Sequence, residues 1–467
     1  MPGALIATLL VVSLLLVHFS TRRAPMPATR PLNVDDGLLL PEAGQASTVF
    51  SLTALFGAYF GIFVVLGWPA LAGLGFGSAI GLWAIRRWFT SRPNRSFEGF
   101  LYGIFVGNGQ NSAVLGLLLI AIQCGFATSE VLILREIAKS TLGLRAEHAT
   151  LAAVALSLIG YFYVLFGGYR AVFRTDVLQF VLVAAMGLIL IVGVSADATT
   201  EPMVRWPRPG YWMPPVEVRS SLTYLYQFSI AAVMGFVFLA ASPDTWKRVF
   251  VVTRSGRPQR RFFVFVLAGI APFLVLVPLA SRTPGIPDGP TYAGVMFASL
   301  LTNNVLFVAT SLGMIASFLS AFNGALIGSV QVGLILRRAV KREAVETPRF
   351  HWLMVTTLLS ITALFMALLT LAPNPYFLGS ILLGPYMLVG GIQLGTLGVI
   401  SRLREGVLLW IVAMAMAAWC VFIASGPPLV SAPSTYQLNA VPGGIMLCFA
   451  VAVICWLTAK PERKRSA

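Results

Sequence analysis

Apolar runs of about 20 residues recur along the whole chain, and they constrain its fold more than any other feature. A helix needs about 20 mostly apolar residues to cross a bilayer, and thirteen segments meet that requirement. Only 11% of the residues are charged, whereas a soluble domain usually has about 25%. The pattern therefore predicts an all-α polytopic membrane protein with about 13 transmembrane helices. The predicted spans are 3–20, 48–66, 67–87, 112–134, 149–166, 172–194, 221–242, 262–281, 303–336, 352–372, 376–399, 405–424 and 440–459.

The basic residues predict how these spans are oriented. The net charge is +16, with 33 Lys and Arg against 17 Asp and Glu. If the spans alternate from an outside N-terminus, most basic residues fall in cytoplasmic segments, as the positive-inside rule requires. We therefore expect a multi-pass protein of the plasma membrane, or of the inner membrane in a bacterium, with a cytoplasmic C-terminus. Its basic loops are expected to meet anionic lipid and not nucleic acid.

Ionisable groups inside a membrane are costly, so they indicate where a functional site lies. Asp176 stands near the start of the sixth predicted span, between Thr175 and Gln179. The local pattern leaves two roles open for this acid: a structural one, as a helix cap or ion-pair partner, or a place on an ion pathway. Gly167-Gly168, just before it, predict a tight turn between the fifth and sixth spans.

Small polar residues form a second pattern in the ninth predicted span. Ser317, Ser320 and Gly324 recur at helical spacing, which is typical of close helix packing in membranes and also of a cation site built from hydroxyl and carbonyl oxygens. In the second span, Ala54 and Gly57 lie in a stretch rich in small residues, where an unwound helix would expose backbone carbonyls. Both interpretations of each pattern stay open at this point.

Two further polar segments are ambiguous. Glu130 lies deep in the fourth predicted span and has two possible roles, an ion pair with Arg135 or a neighbouring helix, or a proton relay. The segment Asp244-Thr-Trp-Lys247-Arg248 follows the seventh span and is interpreted as a basic loop on the inside. No nucleophile–base pair and no phosphate-binding loop is found, which argues against an enzyme.

Taken together, these segments resemble the sodium:solute symporter family, which includes transporters for proline, sugars, pantothenate, sialic acid and carboxylates. The most specific match is to the family's GG-x-x-AV-x-x-TD-x-x-Q signature, at full spacing. Asp244…Lys247-Arg248 is similar to the D-x-x-x-QR segment, with Lys247 in place of the usual Gln. Ala316-Ser317-Phe-Leu-Ser320-Ala321 resembles the A-A-x-M-S-S pattern. The signature residues are Gly167, Gly168, Ala171, Val172, Thr175, Asp176 and Gln179.

The resemblance implies a LeuT-like fold. Two inverted repeats of five helices would form a transport core over residues 48–400, with the solute near the midplane between them. An extra transmembrane helix would precede the core in residues 1–25. Two further helices and a basic tail would follow it in residues 401–467.

The resemblance also implies a sodium site between the second and ninth spans. Backbone carbonyls of Ala54 and Gly57, a carbonyl of Ser317 and the hydroxyl of Ser320 match the family's ligands, and Asp176 matches its supporting acid. The family's second hydroxyl falls on Ala321, which has no side-chain oxygen, so one of the expected ligands is missing. No cofactor is expected beyond sodium as the coupling ion.

Three functions are compatible with these patterns. The first is sodium-coupled symport of a small organic solute by alternating access. The second is a membrane solute sensor that keeps the transporter fold without ion coupling, which Ala321 favours. The third is a proton-coupled transporter in which Glu130 or Asp176 titrates.

Overall fold

Eleven helices make up the part of the chain that the structure, a computed structural model, describes. That part comprises residues 41–53, 62–90, 97, 109–141, 144–196, 221–255, 258–271, 304–341, 375–396, 402–425 and 433–459, and it contains no β-strand. The all-α prediction is therefore confirmed for these residues. In chain order the helices are α1 Pro41–Thr53, α2 Ile62–Thr90, α3 Gly109–Thr141, α4 Ala146–Ala196, α5 Ser221–Ala240, α6 Pro243–Arg254, α7 Gln259–Ile270, α8 Asn304–Lys341, α9 Pro375–Thr396, α10 Val407–Ser425 and α11 Pro433–Thr458.

Several predicted segments lie outside the described residues. They include the spans 3–20 and 352–372, the basic tail after residue 460, and the stretch that contains Ala54 and Gly57. The count of thirteen spans and the division into residues 1–25, 48–400 and 401–467 therefore stay predictions. Among the described residues, Ala113–Leu132 and Ile315–Gly333 are long and apolar enough to cross a membrane, and α5 with α6 would pass as one broken span.

Two predicted helix boundaries are wrong. The boundary predicted between the spans 48–66 and 67–87 does not occur, because residues 66 and 67 both lie inside α2, as does Pro69. The turn expected at Gly167-Gly168 is also absent, because α4 continues through both glycines as one helix of 51 residues. Glycine lowers helix stability by about 1 kcal/mol relative to alanine, a cost that packing against neighbouring helices can outweigh.

A sharp bend separates α5 from α6, with 76° between the two helix axes. Ser242 caps α6, its hydroxyl oxygen accepting a hydrogen bond from the Thr245 amide at 3.4 Å, and Pro243 occupies the first turn. The Trp246 indole donates to the Ala240 carbonyl at 2.7 Å, which ties α6 back to the end of α5. These contacts fix the direction in which α6 leaves the bend.

Helices α2 and α5 pack with their backbones in close contact. Glycines on α2 face carbonyls of α5, so a Cβ atom at Gly73 would overlap the Phe228 carbonyl oxygen, and one at Gly77 would overlap that of Ala232. Gly235 on α5 faces the Leu74 carbonyl in the same way. Small residues are what allow such an approach between membrane helices. The two helices therefore form one tightly packed pair.

A second group of helices surrounds α8. This helix packs against α3, α4, α1 and α6, and 94% of its Ile315–Gly333 segment is buried in the protein. Helix α1 in turn packs against α4, α6, α7 and α8. Helix α6 follows α5 directly after the bend, so it is connected to the α2–α5 pair. It also contacts three helices of the second group, namely α1, α4 and α8.

The glycine contacts predict a position-specific loss of stability. Gly77→Ala should destabilise the protein by about 1–3 kcal/mol, because the added methyl overlaps the Ala232 carbonyl and one helix must shift. Thermal unfolding in detergent micelles measures the effect. Gly75→Ala on the same helix is the control, because its Cβ would meet Ile270 at an ordinary 3.6 Å. Equal unfolding temperatures for the two variants would contradict the proposed packing.

Candidate functional site

A buried ionic cluster lies where α1, α4, α6 and α8 meet. The Arg248 guanidinium on α6 places Nη2 3.1 Å from Asp176 Oδ2 on α4 and 3.0 Å from Asp244 Oδ2 on its own helix. The side chains of Arg248 and Asp176 are completely buried, and that of Asp244 is 4% exposed. Two carboxylates therefore share one guanidinium away from water.

The two residues that α6 contributes to the ionic cluster lie on one face of the helix. Asp244 lies in the first turn, where the helix dipole favours an acid. Arg248 follows four residues later, so both side chains point the same way. The Asp244–Arg248 pair therefore belongs to a single helix, whereas the Asp176–Arg248 pair joins α6 to α4.

The second carboxylate oxygen of Asp176 connects the cluster to α8. The Ser320 hydroxyl donates a hydrogen bond to Asp176 Oδ1 at 3.0 Å, and Ser320 is completely buried. Two of the residues predicted for the sodium site are therefore in direct contact. Residues Thr175 and Gln179, which flank Asp176, are buried as well.

Helix α1 closes the cluster from the remaining side. Arg248 Nη1 donates to the Thr48 hydroxyl at 2.9 Å. Gly44 lies against the ion pair, where a Cβ atom would overlap the Asp176 carboxylate and come within 2.9 Å of Arg248 Cζ. This position requires glycine because of space and not because of backbone conformation.

Ser317 lies one turn from Ser320 and also meets α1. Its hydroxyl donates to the Ser47 carbonyl at 3.3 Å. The predicted ligands Ala54 and Gly57 lie outside the described residues, so their part in the site stays a prediction. Of the five predicted site residues, the structure thus brings Asp176 and Ser320 into contact and places Ser317 one turn from Ser320, against α1.

The two carboxylates differ in how far their charge is compensated. Lys247, itself buried, acts electrostatically on Asp244 in addition to Arg248. Asp176 has Arg248 as its attracting cation and feels the repulsion of Asp244. Asp244 therefore has two cations that act on it, whereas Asp176 has one.

The interpretation of residues 244–248 as an inside basic loop is wrong. They form the buried helix α6, with Arg248 completely buried and Lys247 only 3% exposed. Arg248 and Asp244 were therefore missed as site residues. The sequence did contain a signal, because Ser242-Pro243-Asp244 combines an N-cap, a first-turn proline and a first-turn acid.

Two further positions singled out from the sequence are also buried. Glu130 on α3 is buried, as expected for an acid deep in a span. Ala321 on α8 is buried next to Ser320. Within the described part of the chain, no group of three or more His, Cys, Asp or Glu side chains is placed to hold a metal ion.

Comparison with known proteins rests on structure, since no family model and no curated protein matches the sequence. The substrate-bound outward-open structure of a Na+-coupled sialic acid symporter superimposes with a TM-score of 0.59 and 13% identity, over 97% of this chain and 98% of that one. MHP1, a nucleobase-cation-symport-1 family transporter, gives a TM-score of 0.51 and 13% identity over 94% and 96% of the two chains.

This protein has the fold of a LeuT-like membrane transporter. A mutant of the Eremococcus coleocola manganese transporter agrees, with a TM-score of 0.50, 10% identity and coverage of 93% and 98%. The structures named here are membrane transporters and not enzymes. The similarity to the LeuT-like fold is confirmed, while the inverted repeats, the membrane location and membership of the sodium:solute symporter family stay predictions.

Proposed function

We propose that the protein is a secondary active transporter that couples symport of a small organic solute to sodium by alternating access. The observation that carries the proposal is the contact between Ser320 and Asp176 inside a fully buried ionic cluster. A buried carboxylate and a neighbouring hydroxyl offer the hard oxygen atoms that an alkali cation prefers. The similarity to transporters, one of them Na+-coupled, supports the proposal at the level of fold.

The proposed sodium site combines side chains and backbone. Ser320 Oγ and the carbonyl of Ser317 would contribute from α8, and Asp176 would support the ion electrostatically from α4. The carbonyls of Ala54 and Gly57, which follow α1, would complete the site. Because Ala321 supplies no oxygen, the ion would have one protein ligand fewer than the family pattern implies.

Coupling requires that the ion prefer one conformation of the transporter. A ligand shifts a conformational equilibrium only through its different affinities for the two states. The proposed ligands lie on α4, on α8 and in the segment that follows α1 in the chain, and the ionic cluster also includes α6, so a relative movement of these helices would change the site. In our proposal sodium stabilises the outward-open state, in which the solute site is complete.

A second candidate function follows from Arg248. Its guanidinium already places a positive charge beside Asp176, and Ala321 removes one expected ligand. A protein in which Arg248 permanently supplies the charge of the ion would bind or transport its solute without sodium. This candidate covers both a solute sensor and a sodium-independent carrier. A third candidate function is proton-coupled transport, in which Glu130 or Asp176 would titrate.

Uptake into proteoliposomes separates these functions. The protein is reconstituted, and uptake of a panel of solutes is measured with a sodium gradient or a pH gradient imposed alone. We expect accumulation driven by sodium. Ser320→Ala should reduce it at least about tenfold, because a ligand and the Asp176 hydrogen bond are both lost.

Ser329→Ala is the matched control for this experiment. Ser329 is a buried serine of the same helix whose hydroxyl bonds within α8, to the Ala325 carbonyl. Uptake that follows the pH gradient and ignores sodium would favour the proton-coupled function. Solute binding without flux would favour the sensor.

Restoring the missing hydroxyl predicts a gain of affinity. Ala321→Ser adds an oxygen next to Ser320, so the sodium concentration that gives half-maximal uptake should fall severalfold if sodium binds there. Initial uptake rates over a range of sodium concentrations, with choline as the replacement ion, measure the change. Ala325→Ser, one turn further along α8, controls for a general effect of an added hydroxyl. An unchanged half-maximal concentration would contradict the ligand assignment.

A further inference from the structure

Arg248 has two acidic partners, and they differ in which helices they connect. The contact with Asp176 joins α6 to α4, whereas the contact with Asp244 stays within α6. A guanidinium that leaves Asp176 therefore already has a partner 3.0 Å away on its own helix. The exchange would open a link between helices without exposing an unpaired charge, which is the costly event in a buried site.

The contacts of Arg248 with the carboxylates are not directed hydrogen bonds. Nη2 lies within ion-pair distance of Asp176 and Asp244, yet it has no partner in hydrogen-bond geometry among the described residues. The directed bond of the guanidinium goes from Nη1 to the Thr48 hydroxyl on α1. Thr48 therefore helps to hold Arg248 in the position where it touches Asp176.

The proposed sodium ion and Arg248 would need the same carboxylate. The Ser320 hydroxyl contacts Oδ1 of Asp176, and the Arg248 guanidinium contacts Oδ2. Two positive charges a few ångströms apart repel strongly where the surroundings are poorly polarisable. The sodium ion and the guanidinium therefore cannot both bind Asp176 as tightly as either would alone.

We propose that Arg248 is a tethered cation that competes with the coupling ion for Asp176. Arrival of the ion moves the guanidinium to Asp244 and thereby releases α6 from α4. Departure of the ion lets Arg248 return and rejoin the two helices. One monovalent cation replaces one guanidinium at Asp176, so the charge at this carboxylate is conserved through the exchange.

This mechanism gives α6 a role in coupling. Helix α6 is tied through the bend to α5, and α5 is packed against α2 through the glycine contacts. A change in whether α6 is bound to α4 therefore acts on the whole α2–α5 pair. Arg248 is a positioning residue in this account, since it sets ion affinity and helix contacts and does not bind the solute.

The test measures sodium affinity. Removing a competing guanidinium should raise this affinity, whereas structural damage to the site should lower it. This inference rests on the proposed sodium coupling. Purified full-length protein in detergent micelles is titrated with sodium chloride at constant ionic strength, with choline as the replacement, and thermal stabilisation is recorded. Arg248→Lys keeps the charge but cannot reach both carboxylates and Thr48 in the same way. Thr48→Val removes the hydroxyl that holds the guanidinium.

We expect both variants to bind sodium more tightly than the unmodified protein. The sodium dissociation constant fitted to the thermal stabilisation should fall about tenfold for Arg248→Lys and less for Thr48→Val, within the usual range of coupling between two ligands. Thr128→Val is the control, since Thr128 is a buried threonine of α3 that bonds within its own helix, to the Cys124 carbonyl. A site that is merely damaged would bind sodium less tightly, so a gain of affinity is specific to competition.

The remaining outcomes separate the inference from the proposed function. If the unmodified protein responds to sodium and both variants respond at the same or higher concentrations, the competition is refuted while sodium coupling stands. If only the variants respond, Arg248 occupies the site permanently, which supports the competition and refutes sodium coupling in the natural protein. If none responds, both proposals are overturned.

Discussion

A guanidinium shared by two buried carboxylates is the interaction on which the rest of the site depends. Burying a charge is costly unless it is paired, and removing one member of a buried pair leaves the other uncompensated. Asp176 therefore needs a cation beside it, and Arg248 supplies that cation in this structure and holds α6 against α4. The packing around the ion pair is tight at Gly44, because a single methyl group there would overlap the Asp176 carboxylate.

The same constraint connects the packing of the helices to function. Helices α2 and α5 form a pair through backbone contacts at glycines, while α3 and α4 pack against α8, whose Ile315–Gly333 segment is 94% buried. The 76° bend allows α6 to pass from the first group into the second. An ion that acts on Asp176 thus acts where the two groups meet, which is where a coupling ion can bias their relative position.

Hydropathy and motif spacing predicted much of this arrangement. Apolar runs of membrane-spanning length gave the all-α class, because a helix that crosses lipid must satisfy its backbone internally and present apolar side chains. The resemblance placed Asp176 and Ser320 near one another, and the structure shows them in a hydrogen bond. Helix α6 escaped notice because its 12 residues are too few and too polar to stand out in a 20-residue window. The boundary predicted between the spans 48–66 and 67–87 and the turn predicted at Gly167-Gly168 both fall inside continuous helices.

Two structures of the protein, one in sodium and one in choline, would test the central claim most directly. If sodium and Arg248 share Asp176, the sodium structure should show an ion beside Asp176 and Ser320, with the guanidinium turned to Asp244. The choline structure should show the Asp176–Arg248 contact described here. An ion that binds elsewhere while Arg248 stays on Asp176 in both conditions would contradict the account.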